Sequence, residues 1–135
     1  MKHVYMIIAH QDFPVLESLI ETLDYPDNDI VLHLDRKVKY SVMYQPKNSN
    51  LYLVPDDKRV DVRWGDCTQK WSELALYNEA YRHGPYSYYH LVSGIDLPIK
   101  NQSYIHEFFE NHDGKIFLGL MVNAWRTKSK IEYYH

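Results

Sequence analysis

The first 34 residues contain the pattern that most restricts how this chain can fold. The apolar stretch at 3–10 predicts a strand covered on both faces, and residues 13–23 carry apolar side chains at helical spacing. A second apolar stretch follows at 29–34. A strand, a helix and a strand within about thirty residues predict a βαβ unit, in which the two strands are parallel and the crossover is right-handed.

The rest of the chain continues this alternation of strands and helices. Gly84 and Pro85 are a strong stop signal for a helix, and an aromatic, apolar run follows them. The further predicted elements are strands at 51–54, 86–92 and 115–121, an extended segment or short strand at 60–64, a helical turn near 40–44, a helix from 65–68 to Gly84 and a helix at 104–111. This order predicts an α/β protein with a mostly parallel, Rossmann-type sheet flanked by helices.

Polar residues mark the ends of several predicted elements. Asp12 is expected to cap the first helix, and Asn101 or Ser103 is expected to cap the last one. The charged run at 56–59 is expected to be a solvated loop.

Composition excludes several classes of protein. The 135 residues suffice for one domain, and a net charge of −3 gives no basic excess for binding nucleic acid. The single cysteine excludes an internal disulfide. The apolar run at the N-terminus is too short to cross a membrane as a helix.

Polar groups follow three of the predicted strands. They are His10, the pair Asp35 and Arg36, and the segment 93–96. In a doubly wound sheet such strand ends converge on one crevice, where ligands bind. Asp35 suits a ribose hydroxyl or a base N–H, whereas the simpler alternative is an aspartate paired with Arg36 or Lys37 in solvent.

The stretch from Ser93 to Lys100 suggests a site at the end of a strand. Gly94 allows a turn or the close approach of a ligand, and Pro98 ends the strand because it lacks a donor. Asp96 is therefore expected just past the carboxyl end of a central strand, where open α/β sheets bind ligands.

Val62, Arg63 and Trp64 form a further candidate segment before the predicted helix. Trp64 could stack on a planar base or a sugar, and Arg63 could meet a phosphate. The alternative is a core tryptophan followed by Gly65 at the start of the helix.

The sequence predicts no metal site. It has eight histidines but no H-E-x-x-H and no paired cysteines. The only D-x-D, at 27–29, precedes the second strand and is interpreted as a turn. Glycine-rich phosphate loops and a nucleophile elbow are also missing from the sequence.

Four segments together resemble a known family. Ile7–His10, His33–Lys37, Val62–Gly65 and Leu91–Lys100 have the order and spacing of the core-2/I-branching glycosyltransferases. That family includes branching β-1,6-N-acetylglucosaminyltransferases and peptide O-xylosyltransferases. The resemblance covers nearly the whole chain. It implies a GT-A-like fold and an inverting, metal-independent transfer from a UDP-sugar of the UDP-GlcNAc or UDP-xylose type.

The resemblance also implies which residues contact the nucleotide-sugar. Asp35 matches the uridine-binding aspartate of the family, and Ile8 and Ala9 line the uridine pocket by position. Gly94 and Asp96 belong to a family signature, for which shaping the strand end is the alternative to ligand contact. The expected set is Ile8, Ala9, His10, Asp35, Val62, Arg63, Trp64, Gly94 and Asp96.

No catalytic residue is predicted. The family domain is considerably longer than this chain, and the glutamate base and the basic residues that offset the diphosphate lie in its second half. Residues 1–135 are therefore expected to be the N-terminal, nucleotide-sugar-binding part of a single glycosyltransferase domain.

The expected partners are a UDP-sugar donor and a carbohydrate acceptor, with no metal or other cofactor. One alternative is a module that binds a nucleotide or nucleotide-sugar without catalysis, and another is a fragment that self-associates through an exposed sheet edge. The lack of an N-terminal anchor favours a cytoplasmic location, with peripheral association at the inner membrane face. The resemblance to bacterial members of the family suggests a role in polysaccharide biosynthesis.

Overall fold

The computed structural model describes residues 1–63 and 65–117. Trp64 and residues 118–121 of the last predicted strand lie outside the described residues, and residues 115–117 are not in a strand. The elements in chain order are β1 (His3–Ala9), α1 (Phe13–Leu23), β2 (Asn28–Leu34), β3 (Asn50–Leu53), a 3₁₀ turn (Asp56–Lys58), α2 (Thr68–His83), β4 (Tyr88–Ser93) and α3 (Gln102–Glu110). In this part of the chain, no helix has the length and hydropathy needed to span a bilayer.

The four strands form a parallel sheet in the order β3-β2-β1-β4. Helix α1 packs on one face through Leu16, Leu19 and Ile20, which contact alternate residues of β1 and β2. On the other face Leu76 and Ala80 of α2 join the remaining strand side chains in a second core cluster. The structure confirms the predicted α/β class, an arrangement consistent with a GT-A-like fold.

β4 differs from the prediction of a buried, central strand. Within the described residues it pairs only with β1, so it lies at one edge of the sheet. Tyr89 and Leu91 on its outer face are 37% and 42% exposed. Among residues 1–63 and 65–117, the aromatic run therefore forms a half-buried edge strand, which suits the strand preference of tyrosine as well as a core strand does.

The segment 40–49 contains no helical turn, contrary to the prediction. Two carboxylates, one within α1 and one directly after it, hold this segment in place through its backbone N–H groups instead. Glu17 accepts from the Met43 and Tyr44 N–H groups at 2.8 Å each. Asp24 accepts from three consecutive N–H groups, at 47–49. Although burial alone would raise it, the pKa of Asp24 falls to about 2 because these bonds favour the carboxylate.

The predicted helix caps are correct at α3 and wrong at α1. The Asn101 side chain accepts from the Tyr104 N–H at 2.9 Å. Asp12 occupies the cap position of α1 in a left-handed conformation, but its carboxylate makes no cap bond. Its backbone carbonyl accepts from the Val15 N–H at 2.9 Å instead.

Candidate functional site

The structure brings the three polar strand ends together. In the ladder, Ile8 of β1 pairs with His33 of β2 on one side and with Ser93 of β4 on the other. Beyond the ladder, the Asp35 N–H donates to the Ala9 carbonyl at 2.9 Å, and the Gly94 N–H donates to the Ile8 carbonyl at 2.8 Å. These ends form the carboxyl edge of the sheet, and we call the region around them the strand-end site.

Gly94 is required at this edge because the backbones approach closely. A Cβ added to it would lie 2.6 Å from the Ala9 Cβ and 3.2 Å from the Ile8 carbonyl oxygen. Gly94 is itself buried. It therefore packs one strand end against its neighbour, where a side chain would clash.

Asp96 closes the turn that follows β4. Its N–H donates to the Ser93 carbonyl at 3.0 Å, and its carboxylate accepts from the Ser93 N–H at 3.2 Å. The residue is exposed. These contacts favour the strand-shaping alternative for this position.

Asp35 is the buried carboxylate of the strand-end site. The alternative of an aspartate paired with Arg36 or Lys37 in solvent is right in the pairing with Lys37, but the Asp35 side chain is only 4% exposed and does not lie in solvent. Oδ1 accepts from the Lys37 N–H at 2.9 Å, and Oδ2 accepts from the Val62 N–H at 3.1 Å. The Lys37 ammonium lies 3.4 Å from Oδ2. Because an ionised carboxylate offers about four acceptor positions, Asp35 retains capacity for a further donor.

The bond from Asp35 to Val62 joins two of the predicted motifs. Lys37 strengthens the link, because its ammonium donates to the Val62 carbonyl at 2.7 Å and to Asp61 at 2.6 Å. Hydrogen bonding to Asp61 raises the pKa of Lys37. Arg63 extends from the same segment with a side chain that is 70% exposed, and its guanidinium lies 3.6 Å from Asp61.

The other predicted ligand-contacting residues differ in how deeply they are buried. His10 is exposed on the loop after β1. Ile8 is half-buried and packs against the core cluster under α2. Ala9 is almost fully buried, with its methyl group directed towards the Gly94 backbone. Trp64 lies outside the described residues.

Sequence reasoning missed Arg59, and it named His33 as part of a motif without giving it a role. Arg59 belongs to the charged run expected to be solvated, yet its side chain is only 15% exposed and donates to the Leu34 and Asp35 carbonyls. His33 is fully buried and its Nε2 accepts from the Val60 N–H at 2.9 Å. Burial lowers the pKa of His33, which favours the neutral ring that this acceptor role needs. The sequence places His33 on the same side of an extended chain as Asp35, because the two positions are two residues apart.

The D-x-D at 27–29 is part of the predicted turn only at Asp27, since the Asn28 N–H closes the turn on the Tyr25 carbonyl at 2.9 Å. Asn28 and Asp29 are buried at the start of β2, at the amino edge of the sheet. Asp29 accepts from Lys2 Nζ and the Tyr86 hydroxyl at 2.7 Å each, and from Asn50 at 2.9 Å. Among residues 1–63 and 65–117, no three histidine, cysteine or carboxylate side chains are arranged to hold a metal ion.

A parallel sheet covered by helices, with polar groups gathered at its carboxyl edge, is the arrangement in which open α/β proteins bind ligands. The sequence profile of the Core-2/I-Branching enzyme family matches residues 4–132. The chain therefore belongs to the Core-2/I-Branching enzyme family, whose members are glycosyltransferases. Among curated proteins, none matches the chain.

Family membership confirms the resemblance predicted from the four segments. It also implies, in general terms, a nucleotide-sugar donor and a carbohydrate acceptor.

Proposed function

We propose that this chain is the donor-binding part of an inverting, metal-independent glycosyltransferase that uses a UDP-sugar of the UDP-GlcNAc or UDP-xylose type. The observation that carries the proposal is the buried Asp35 carboxylate at the carboxyl end of β2, bonded to the Val62 N–H. This bond brings two family segments into one site. Residues 1–135 are proposed to form one nucleotide-sugar-binding unit.

In the proposed complex, Asp35 accepts a hydrogen bond from the uracil N–H or from a ribose hydroxyl. A buried acceptor of this kind discriminates between nucleotides, because one without the matching donor leaves an acceptor position of the carboxylate unfilled. The exposed Arg63 guanidinium would offset diphosphate charge, and Trp64 would stack on a planar ring. The backbone around Ala9, His10 and Gly94 would form the floor.

The proposed reaction is a single displacement at the anomeric carbon. A hydroxyl oxygen of the acceptor forms the new bond while the bond to the UDP oxygen breaks, and that oxygen leaves with the electron pair. A base removes the proton of the hydroxyl, and basic side chains stabilise the departing diphosphate. No described residue is assigned as the base.

The groups beside Asp35 support metal independence. Divalent cations prefer sites built from several oxygen ligands. Here the ammonium of Lys37 is 3.4 Å from the carboxylate, and Arg36 adds a second cationic residue at the strand end. Lys37 pairs with both Asp35 and Asp61, so these carboxylates already have a cationic partner and are less available to a divalent ion.

Asp35→Ala is expected to weaken UDP binding by about 1–3 kcal/mol, the cost of losing a buried hydrogen bond. Isothermal titration with UDP, with and without EDTA, measures the effect. Asp57→Ala is the matched control, because that carboxylate is highly exposed and pairs with Lys58. An unchanged affinity in Asp35→Ala would remove Asp35 from the site.

Two further outcomes bear on the proposal itself. If the unmodified chain gives no heat with millimolar UDP, the nucleotide site is not present in this chain. If binding requires added Mn²⁺, metal independence is wrong.

A binding module without catalysis is the second candidate function. It is favoured by the two carboxylates near the strand ends, since Asp35 and Asp96 both accept bonds from backbone N–H groups. Such bonds stabilise the ionised carboxylate and make it a weaker general base. Release of UDP on incubation with UDP-GlcNAc or UDP-xylose would exclude a pure binding module, because a module binds the donor without releasing UDP.

A further inference from the structure

The segment 60–63 is held against the end of β2 by contacts that are not part of the sheet ladder. The Arg36 N–H donates to the Val60 carbonyl at 3.0 Å. In return, the Val60 N–H donates to His33, and the Val62 N–H donates to Asp35. The position of this segment therefore depends on the conformation of the chain just after Leu34.

Arg59 fixes that conformation. Its Nε donates to the Leu34 carbonyl at 2.9 Å, and its Nη2 donates to the Asp35 carbonyl at 2.8 Å and to the Val38 carbonyl at 2.5 Å. Its Nη1 donates to Asp56 at 2.8 Å. One planar group thus satisfies three carbonyls on both sides of the turn after β2.

A guanidinium is well suited to this task, and an ammonium is not. The nitrogens of arginine have a fixed planar spacing and can bond several carbonyls at once, whereas lysine presents one flexible point charge. Because Arg59 is the residue directly before Val60, anchoring its side chain also anchors the start of the segment 60–63.

We propose that Arg59 is a positioning residue of the nucleotide site. It does not contact the nucleotide. Arg59 holds the turn that carries Asp35 in register with the segment that carries Val62 and Arg63. His33 also holds this segment in place, because it accepts a hydrogen bond from the Val60 N–H. The inference rests on the proposed function, since the value of this alignment lies in binding the nucleotide.

The test compares Arg59→Lys and Arg59→Ala with Arg82→Lys as the control. Arg82 is a largely exposed arginine that pairs with Glu79 of its own helix. Amide hydrogen exchange at Val60 and Val62 reports on the segment directly, and titration with UDP reports on the site. Both are measured well below the unfolding midpoint of each variant.

We expect both Arg59 variants to exchange the Val60 and Val62 amides roughly tenfold faster and to bind UDP roughly tenfold more weakly, as for the loss of a charged hydrogen bond. The amides of β1 should stay protected, and Arg82→Lys should match the unmodified chain. Arg59→Lys retains the positive charge. The same loss in this variant would therefore show that the planar guanidinium is needed and that the charge alone is not enough.

The outcomes separate this inference from the proposed function. Wild-type exchange at Val60 in Arg59→Lys, or faster exchange with unchanged UDP affinity, would overturn the positioning role. Failure of the unmodified chain to bind UDP would overturn the proposed function, and the exchange rates would still decide whether Arg59 holds the segment. If Arg59→Ala does not fold, the comparison of Arg59→Lys with Arg82→Lys decides the positioning role, because lysine keeps the charge and lacks the planar fork.

Discussion

Gly94→Ala should lower the free energy of unfolding by about 1–3 kcal/mol, the usual cost of overpacking, and Gly94→Val should lower it further. The new Cβ would lie 2.6 Å from the Ala9 Cβ and 3.2 Å from the Ala9 Cα. Ala9 belongs to β1, which is paired on both sides, so its backbone cannot move without disturbing β2 and β4. Urea denaturation followed by circular dichroism measures the loss.

Two companion variants test the cause. At Gly84 an added Cβ would meet its nearest neighbour, the Tyr89 hydroxyl, at an ordinary contact distance of 3.4 Å, so Gly84→Ala is expected to be much milder. Adding Ala9→Gly to Gly94→Ala removes the closest clashing atom and should restore part of the stability. If the double variant is no more stable than the sum of the single losses predicts, the contact with Ala9 is not the cause.

The sequence was most informative where burial is complete. β1 and β2 are covered on both faces, so most of their side chains are apolar and their predicted bounds differ from the structure by one residue each. β4 was harder to interpret because an aromatic run is compatible with a core strand and with an edge strand. Which of the two forms depends on what the strand pairs with, and local composition does not contain that information.

The candidate site was predictable to the same degree. The order of the strands requires their carboxyl ends to meet, which is why Asp35 and Gly94 were expected near each other. The role of Arg59 was not predictable, since its side chain bonds backbone carbonyls and such contacts leave no pattern of residue types. The same holds for Asp29, whose partners Tyr86 and Lys2 come from distant parts of the chain.

The amino edge of the sheet carries a group of three histidines, the buried His3 and His106 and the half-buried His90, which we call the histidine cluster. The His3 ring is fully buried and stacks on His106 at 4.1 Å between ring centroids. His90 Nε2 lies 3.2 Å from His3 Nδ1. His106 Nε2 lies 2.8 Å from the Asn28 carboxamide oxygen. The cluster therefore joins β1, β4 and α3 through uncharged rings.

Burial, together with the neighbouring histidines, makes these rings difficult to protonate. Burial and the charges of His106 and His90 lower the pKa of His3 to about 3, and burial and His106 lower the pKa of His90 to about 4. Burial also lowers the pKa of His106, partly opposed by Asp27 and Glu110 and assisted by the N-terminal amine. In an unfolded chain each histidine titrates near pH 6.5.

The protein should therefore lose stability as the pH falls below about 6.5. Between that pH and the lowered values, the unfolded chain binds more protons than the folded chain, so acid favours unfolding. Each pKa unit is worth about 1.4 kcal/mol, and for His3 and His90 together we expect a loss of more than about 3 kcal/mol between pH 6.5 and about pH 4.5. The carboxylates with lowered pKa values, such as Asp24, add to the loss mainly below that window.

Urea midpoints measured from pH 7 to about pH 4.5 test this expectation. His90→Gln removes one titrating ring and keeps a polar side chain next to His3, so its stability should depend less steeply on pH. His10→Gln removes an exposed histidine at the opposite end of β1 and should keep the slope of the unmodified chain. Equal slopes in all three proteins would show that the cluster does not control acid unfolding. The result also bears on UDP binding, because β1 runs from the histidine cluster to the strand-end site. Unfolding of β1 in acid would therefore disrupt the site at which UDP is proposed to bind.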